Sequence, residues 1–260
     1  MIDHLQGILL ELGVRLLRWR AEGAVEGVWQ GTQFKAEADL RSHDFISAGL
    51  LKAWPDIPVV SEEDAASLVH PRPDRYWLID PIDGTASFCN GFDGFVTQAA
   101  LIKDKKPVLS VVHAPALGLT YCGSGDGDAT CNGRVLRLEQ TPPARPVLID
   151  NYPEPRGIAQ ALFQGLPCGG YVESGSLGLK ICRVADGTAD LFVKDVVVKD
   201  WDLAPADLIL RLAGGVLTTL AGEDIPYAGD YARQGIVAAA NTGLAVQVDR
   251  WLKDAGPSRA

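Results

Sequence analysis

No Cys-x-x-Cys pair occurs in this chain of 260 residues, and its five cysteines, Cys89, Cys122, Cys131, Cys168 and Cys182, are odd in number with no histidine at ligand spacing. That excludes a zinc ribbon, a thioredoxin-type redox pair and a disulfide-stapled scaffold, and it points to a reducing compartment. No stretch approaches the ~18 apolar residues needed to cross a bilayer, and Met1-Ile2-Asp3-His4-Leu5-Gln6 has no basic start before an apolar segment, so the expectation is a cytoplasmic chain with no membrane partner. Positive charge is scarce: 24 Lys and Arg against 33 Asp and Glu leave a net charge of −9, which would repel a nucleic-acid polymer or an anionic membrane. An anionic small substrate would need a cation beside it. The four histidines, His4, His43, His70 and His113, lie in different elements and form no set, and internal repeats and low-complexity segments are absent.

What is present is globular: 47% hydrophobic and 22% charged residues, with chain enough for one large domain or two medium ones. Leu5, Ile8, Leu9, Leu12, Leu16 and Leu17 recur at helical steps, predicting an amphipathic opening helix over residues 2–19. Residues 22–36, with Lys35, read as a turn or short hairpin, and a second helix is expected from about Ala38 to Ala53. Short strands at Pro58-Val59-Val60 and at Tyr76-Trp77-Leu78-Ile79 both deliver acids at their ends, the second stopping at Asp80-Pro81. Phe95–Ile102 and Val108–His113 read as a meander of antiparallel strands. Pro142-Pro143-Ala144-Arg145-Pro146 breaks every pattern, which places a boundary between an N-terminal subdomain, 1–143, and a C-terminal one, 144–260. The second part alternates strand and helix, with strands at 147–150, 189–193 and 216–220 and helices at 157–164, 177–186 and 203–213.

Three acidic clusters sit at element ends. In Asp80-Pro81-Ile82-Asp83-Gly84-Thr85 the proline stiffens the turn, the three-residue step lets both carboxylates reach one point, and glycine permits close approach to the backbone. Carboxylates so placed suit a hard cation such as Mg²⁺, and the N–H groups of Gly84, Thr85 and Ala86 suit a phosphate. The plainer readings are a capped turn for this string, a solvated loop for Glu62-Glu63, and an N-cap aspartate for Trp201-Asp202.

Taken together, Val60-Ser61-Glu62-Glu63-Asp64, Trp77-Leu78-Ile79-Asp80-Pro81-Ile82-Asp83-Gly84-Thr85 and Lys199-Asp200-Trp201-Asp202-Leu203-Ala204 resemble the three signatures of the inositol monophosphatase superfamily. The resemblance implies an α/β fold, a layered α/β/α/β/α sandwich shared with fructose-1,6-bisphosphatase. It implies that Glu62, Asp80, Asp83 and Asp202, with the Ile82 carbonyl, hold Mg²⁺, and that Glu63 holds a water of the metal's shell. Thr85, oriented by Asp39, would activate the attacking water. The chain looks most like the 3'(2'),5'-bisphosphate nucleotidase branch, through Ser61-Glu62-Glu63-Asp64, the long segment between Thr85 and Phe95, and Gly178-Leu179-Lys180-Ile181-Cys182. There Lys180, otherwise an exposed helix lysine, would touch a substrate phosphate or base. Asp195 stands where inositol phosphatases often set an acid against substrate hydroxyls, which keeps a polyol phosphate in view.

The implied activity is hydrolysis of a small phosphorylated metabolite with two or three Mg²⁺ ions, inhibition by Li⁺, and a homodimer. Two features depart from the family pattern. The loop before Asp39 is shortened to Gln33-Phe34-Lys35-Ala36-Glu37-Ala38-Asp39, with Ala36 where a threonine is usual, and Pro205 follows Trp201-Asp202 where small residues and glycine are preferred; a first-turn position would let the helix accept it. The other readings are an inositol-1-phosphate, histidinol phosphate or sugar phosphatase, and a non-catalytic metal-binding or scaffold member of the fold. A dinucleotide-binding oxidoreductase is disfavoured, because Gly123-Ser124-Gly125-Asp126-Gly127 has the spacing of a hairpin rather than of the phosphate-binding glycine motif.

Overall fold

Side-chain alternation along the strands sorts the structure into layers. The computed structural model describes residues 1–23, 27–30 and 33–254, with the side chains of 27–30 and 33–36 excepted, so the side chain of Lys35 lies outside the described residues. The N-terminal part runs α1 (Ile2–Ala21), a hairpin of β1 (Gly27–Gln30) and β2 (Gln33–Ala36), α2 (Glu37–Ala53), β3 (Val59–Ser61), β4 (Arg75–Asp83), α3 (Thr85–Cys89), β5 (Val96–Lys103), β6 (Lys106–Ala114), β7 (Leu119–Ser124), β8 (Thr130–Cys131) and β9 (Arg134–Val135). The C-terminal part runs β10 (Val147–Asp150), α4 (Gly157–Gly165), β11 (Gly170–Glu173), α5 (Leu177–Ala185), β12 (Leu191–Lys199), α6 (Asp200–Ala213), β13 (Val216–Thr218), β14 (Ala232–Ala239) and α7 (Thr242–Asp254).

Strands β3 to β9 form one seven-stranded sheet in chain order, and a five-stranded sheet has the order β11-β10-β12-β14-β13. Trp77 and Ile79 of β4 face Leu5, Leu9 and Leu12 of α1 and Ile46 of α2, whereas Tyr76 and Leu78 face the other way, toward α5 and α6. Those two helices are covered on their far side by Ile149, Phe192, Ile236 and Ala238 of the second sheet. Its opposite residues, Leu148, Leu191, Val193 and Val237, carry α4 and α7. The period of two thus gives five layers, α/β/α/β/α, as the resemblance implies. The proline-rich segment lies between β9 and β10, and one apolar cluster takes residues from both sides of it. No described helix is long and apolar enough to cross a membrane.

The structure departs from the sequence expectation at two boundaries. Strand β4 does not stop at Asp80-Pro81 but continues to Asp83, with an irregularity in its pairing to β5 between Asp80 and Asp83 that absorbs the proline. Helix α6 begins at Asp200, not Leu203; its N-cap is Lys199, whose N–H donates to Asp202 Oδ2 at 2.8 Å, so Asp202 occupies the third helical position rather than the cap. Pro205 therefore lies in the second turn, not the first. Strands β11 and β14 and helix α7 are additional.

Asp207 of α6 gives the fold a pH signature. It is buried between Arg211 Nε at 2.7 Å and Tyr227 Oη at 2.9 Å, and burial outweighs the arginine, pushing its carboxyl up to about 6. The folded protein then holds this proton more tightly than the unfolded chain does. From this group stability falls as pH rises from about 4 to about 6, by on the order of 3 kcal/mol, and is level above. Melting curves over that range should be flatter for Asp207→Asn than for wild type; parallel curves would sink the assignment.

Candidate active site and metal centre

The site forms where three elements meet. Loop residue Glu62 follows β3, Asp80 lies in the last part of β4, and Asp202 lies in the first turn of α6; one carboxylate oxygen from each comes within 4.8 Å of the other two. Asp80 is 1% exposed, and both of its oxygens are buried without a hydrogen-bond donor. Burial and the charges of Glu62, Asp83, Asp202 and Asp39 push its carboxyl well above the usual range, and burial with Asp83 and Glu62 does the same to Asp202. Three carboxylates crowded around an orphaned buried one are unfavourable unless a cation completes them. An all-oxygen donor set of this kind fits Mg²⁺.

Asp83 adjoins this group rather than belonging to its tightest trio. Its Oδ2 accepts the Gly178 N–H at 2.7 Å and Gln98 Nε2 at 3.3 Å, and its Oδ1 accepts the Leu177 N–H at 3.3 Å, so the first turn of α5 grips it. Burial still raises its carboxyl, against the pull of those donors and of Lys180. Gly84 follows with φ 89°, a left-handed conformation that glycine adopts without penalty, and a Cβ there would lie 3.2 Å from Ser176 Cβ. Thr85 then opens α3, and its hydroxyl donates to Asp39 Oδ1 at 3.0 Å and lies 3.1 Å from the Ile82 carbonyl. Asp39 reaches it from the first turn of α2 and is 3% exposed. The structure thus brings together the threonine and aspartate singled out from sequence.

Glu63 is half-buried in a loop fastened from several directions. Its N–H donates to Ser61 Oγ at 3.3 Å, Ser61 Oγ also lies 2.8 Å from His43 Nδ1 of α2, and Ser67 Oγ receives the Ser61 N–H at 3.1 Å. The loop is ordered by side chains, which a freely solvated acidic turn would not need. Asp195 is exposed in the bulged middle of β12, with its carbonyl accepting from Gln234 Nε2 at 3.0 Å.

Lys180 is buried, not exposed. Its ammonium donates to Asn151 Oδ1 at 2.8 Å and to the Gly175 carbonyl, and lies 5.0 Å from the centre of the Phe192 ring. Burial pulls its pKa down to about 7, while Asp83, Asp150 and Asp202 pull it up. In this arrangement it braces the Gly175–Leu177 turn. That turn presses on the segment before β5: the Ser176 N–H donates to the Gly94 carbonyl at 2.7 Å, and a Cβ on Gly175 would overlap Gly94.

Sequence reading missed Gln98, a polar residue inside the apolar strand β5. Besides touching Asp83, Gln98 Nε2 donates to the Trp201 carbonyl at 3.1 Å. That carbonyl would ordinarily bond the N–H four residues on, but residue 205 is proline and has none. Gln98 fills the vacancy and joins β4, β5 and α6 around the acids. Its only sequence signal is an amide in the middle of a strand otherwise fit for burial.

The chain is similar to known proteins in sequence and in fold. The signature of the inositol monophosphatase family matches residues 15–252. The 3'(2'),5'-bisphosphate nucleotidase CysQ of Aggregatibacter actinomycetemcomitans is 33% identical over 199 residues, 74% of each chain. That of Shigella flexneri is 36% identical over 197 residues, 73% of this chain and 78% of the other. Among solved structures, the IMPase of Thermotoga maritima superposes with a TM-score of 0.81 at 25% identity, covering 96% of both chains. Inositol monophosphatase II of Staphylococcus aureus gives 0.82 at 21% identity over 98% of this chain and 96% of that one, a likeness of fold.

Proposed function

This chain belongs to the inositol monophosphatase family of metal-dependent phosphatases, and on that premise we propose that it removes phosphate from a 3'(2'),5'-bisphosphate nucleotide, 3'-phosphoadenosine 5'-phosphate giving AMP. The observation that carries the phosphatase chemistry is the donorless Asp80 between Glu62 and Asp202, with the Thr85–Asp39 pair tied to the same strand through Ile82. Glu62, Asp80 and Asp202 would hold Mg²⁺, with Asp83 and the Ile82 carbonyl beside them. Bound Mg²⁺ supplies Lewis acidity toward phosphoryl oxygens and lowers the pKa of water.

The remaining work falls to the chain's own groups. The Thr85 hydroxyl donates to Asp39 and so turns a lone pair outward, where it accepts a hydrogen bond from the attacking water and fixes its line of approach. The proton can leave along the Thr85–Asp39 bond. Glu63 holds a second water at the loop, and the Gly84–Ala86 backbone receives the phosphoryl oxygens. Lys180 serves the site by fixing the Gly175–Leu177 turn.

The nucleotidase assignment is supported by the CysQ relatives. A polyol phosphatase is the second reading, kept by Asp195, which is exposed and stands seven residues ahead of Asp202. Two or three ions, Li⁺ inhibition, a homodimer and a cytoplasmic setting belong to the same proposal. The last is supported by five cysteines that are all free.

Phosphate release with and without Mg²⁺ should be compared on 3'-phosphoadenosine 5'-phosphate, inositol-1-phosphate, fructose 1,6-bisphosphate and histidinol phosphate. The expected result is Mg²⁺-dependent turnover with at least a tenfold higher kcat/KM for the adenosine bisphosphate. Preference for any of the other three esters would overturn the substrate, and silence on all four by folded protein would favour the non-catalytic reading.

A further inference from the structure

Arg72 lies in the segment between β3 and β4, outside every motif singled out above, and its side chain is 4% exposed. All three of its guanidinium nitrogens donate. Nη1 donates to Tyr76 Oη at 3.1 Å, Nη2 to Asp200 Oδ2 at 2.6 Å and to the Asp230 carbonyl at 2.7 Å, and Nε to the Gly229 carbonyl at 2.9 Å. The guanidinium also stacks 3.7 Å from the centre of the Tyr231 ring. Asp200 is wholly buried and takes a second arginine, Arg233, at 3.0 Å, while its N–H donates to the Tyr231 carbonyl at 2.9 Å.

The partners are not scattered. Tyr76 precedes Asp80 by four residues on β4, and Asp200 precedes Asp202 by two residues at the start of α6. The segment carrying Arg72 begins with Glu62. One guanidinium therefore fastens together the three stretches of chain that deliver the three converging carboxylates. A buried ion cluster is a poor way to gain stability, because desolvating the charges offsets most of their attraction and apolar residues would serve as well. What a planar five-donor fork adds is fixed geometry between groups that otherwise repel.

We propose that Arg72 is a positioning residue for the metal centre, a latch that sets the distance between Asp80 on β4 and Asp202 on α6. The proposal rests on the reading of Glu62, Asp80 and Asp202 as a cation site but not on any substrate. Loss of such a support around metal ligands typically weakens metal binding about 10- to 100-fold.

The test is Mn²⁺ binding to the full chain without substrate, followed by electron paramagnetic resonance, for wild type, Arg72→Gln and Arg72→Lys. Leu162→Ala serves as control: it removes a core side chain between α4 and the far face of the second sheet, and so lowers stability without touching the site. Arg72→Gln should raise the Mn²⁺ dissociation constant at least about tenfold, with Arg72→Lys in between and Leu162→Ala at the wild-type value despite its lower Tm. Wild-type affinity in Arg72→Gln, or equal weakening in Leu162→Ala, overturns the latch. If Arg72→Gln does not fold, Tyr76→Phe replaces it, keeping the ion pairs with Asp200 and removing the hydroxyl that ties Arg72 to β4; unchanged Mn²⁺ affinity in that variant overturns the latch as well. Wild-type protein that binds no Mn²⁺ overturns the metal-centre reading itself. Failure to hydrolyse the adenosine bisphosphate, with the affinity ranking as expected, overturns only the substrate.

Discussion

Asp80→Asn is expected to abolish phosphate release while raising the melting temperature of the metal-free protein. Both effects come from the same geometry. Without a cation, Asp80 is a buried carboxylate whose oxygens meet no donor and whose neighbours Glu62, Asp83 and Asp202 are all acids. An amide keeps the shape, removes one unit of repulsion and brings two N–H donors to face the carboxylates that remain. The gain should be on the order of 1–2 kcal/mol, about 2–8 °C in Tm at neutral pH in chelator. Activity should fall by at least about 10³-fold, because uncatalysed phosphate-ester hydrolysis is among the slowest reactions and a site without its central anionic ligand loses the cation that offsets that barrier. Thermal melts in EDTA and in Mg²⁺ provide the check: Mg²⁺ should raise the Tm of wild type and leave the variant unmoved. A variant that melts lower in EDTA, or keeps its turnover, contradicts the assignment.

Thr85→Ala should lower kcat by about 10²- to 10⁴-fold and leave Mn²⁺ binding intact. The hydroxyl bridges Asp39 and the Ile82 carbonyl, and no carboxylate is altered by the change. Thr85→Ser restores the hydroxyl and should recover activity to within about tenfold of wild type, the remaining loss reflecting a freer rotamer. Equal damage from serine and alanine would mean that the methyl group, and hence packing, matters more than the proton path.

Much of this was legible in the chain. The apolar period of α1, the apolar runs of β4 to β6 and the span of β10 come from local patterning, and each is set by whether one or both sides of a single element are buried. The acids of the site were legible because they stand where strands and helices end. Other features depend on partners far along the chain. Lys180 looks like a surface lysine of an amphipathic helix, yet α5 is enclosed between two sheets, so even its polar position is buried. Arg72 and Asp200 are 128 residues apart, and neither has a local pattern that announces the other. The start of α6 was misplaced because lysine is a poor cap; the helix is closed instead from inside, by Asp202 reaching back to the Lys199 N–H. Asp83 carries a ligand's signature in sequence, and only the packing of α5 against β4 shows that its oxygens already serve as the anchor of another helix.

The proline in α6 has a consequence for which sequences this fold tolerates. Substitution of Pro205 by alanine would return the Trp201 carbonyl to its own helix and leave Gln98 with a donor to spare; substitution of Gln98 by leucine would leave that carbonyl buried and unmet. Either change alone carries a penalty, and the two together carry less than their sum. Positions 98 and 205, on different elements and 107 residues apart, are therefore expected to vary as a pair across the descendants of this sequence, with the identity of one restricting the alphabet available to the other.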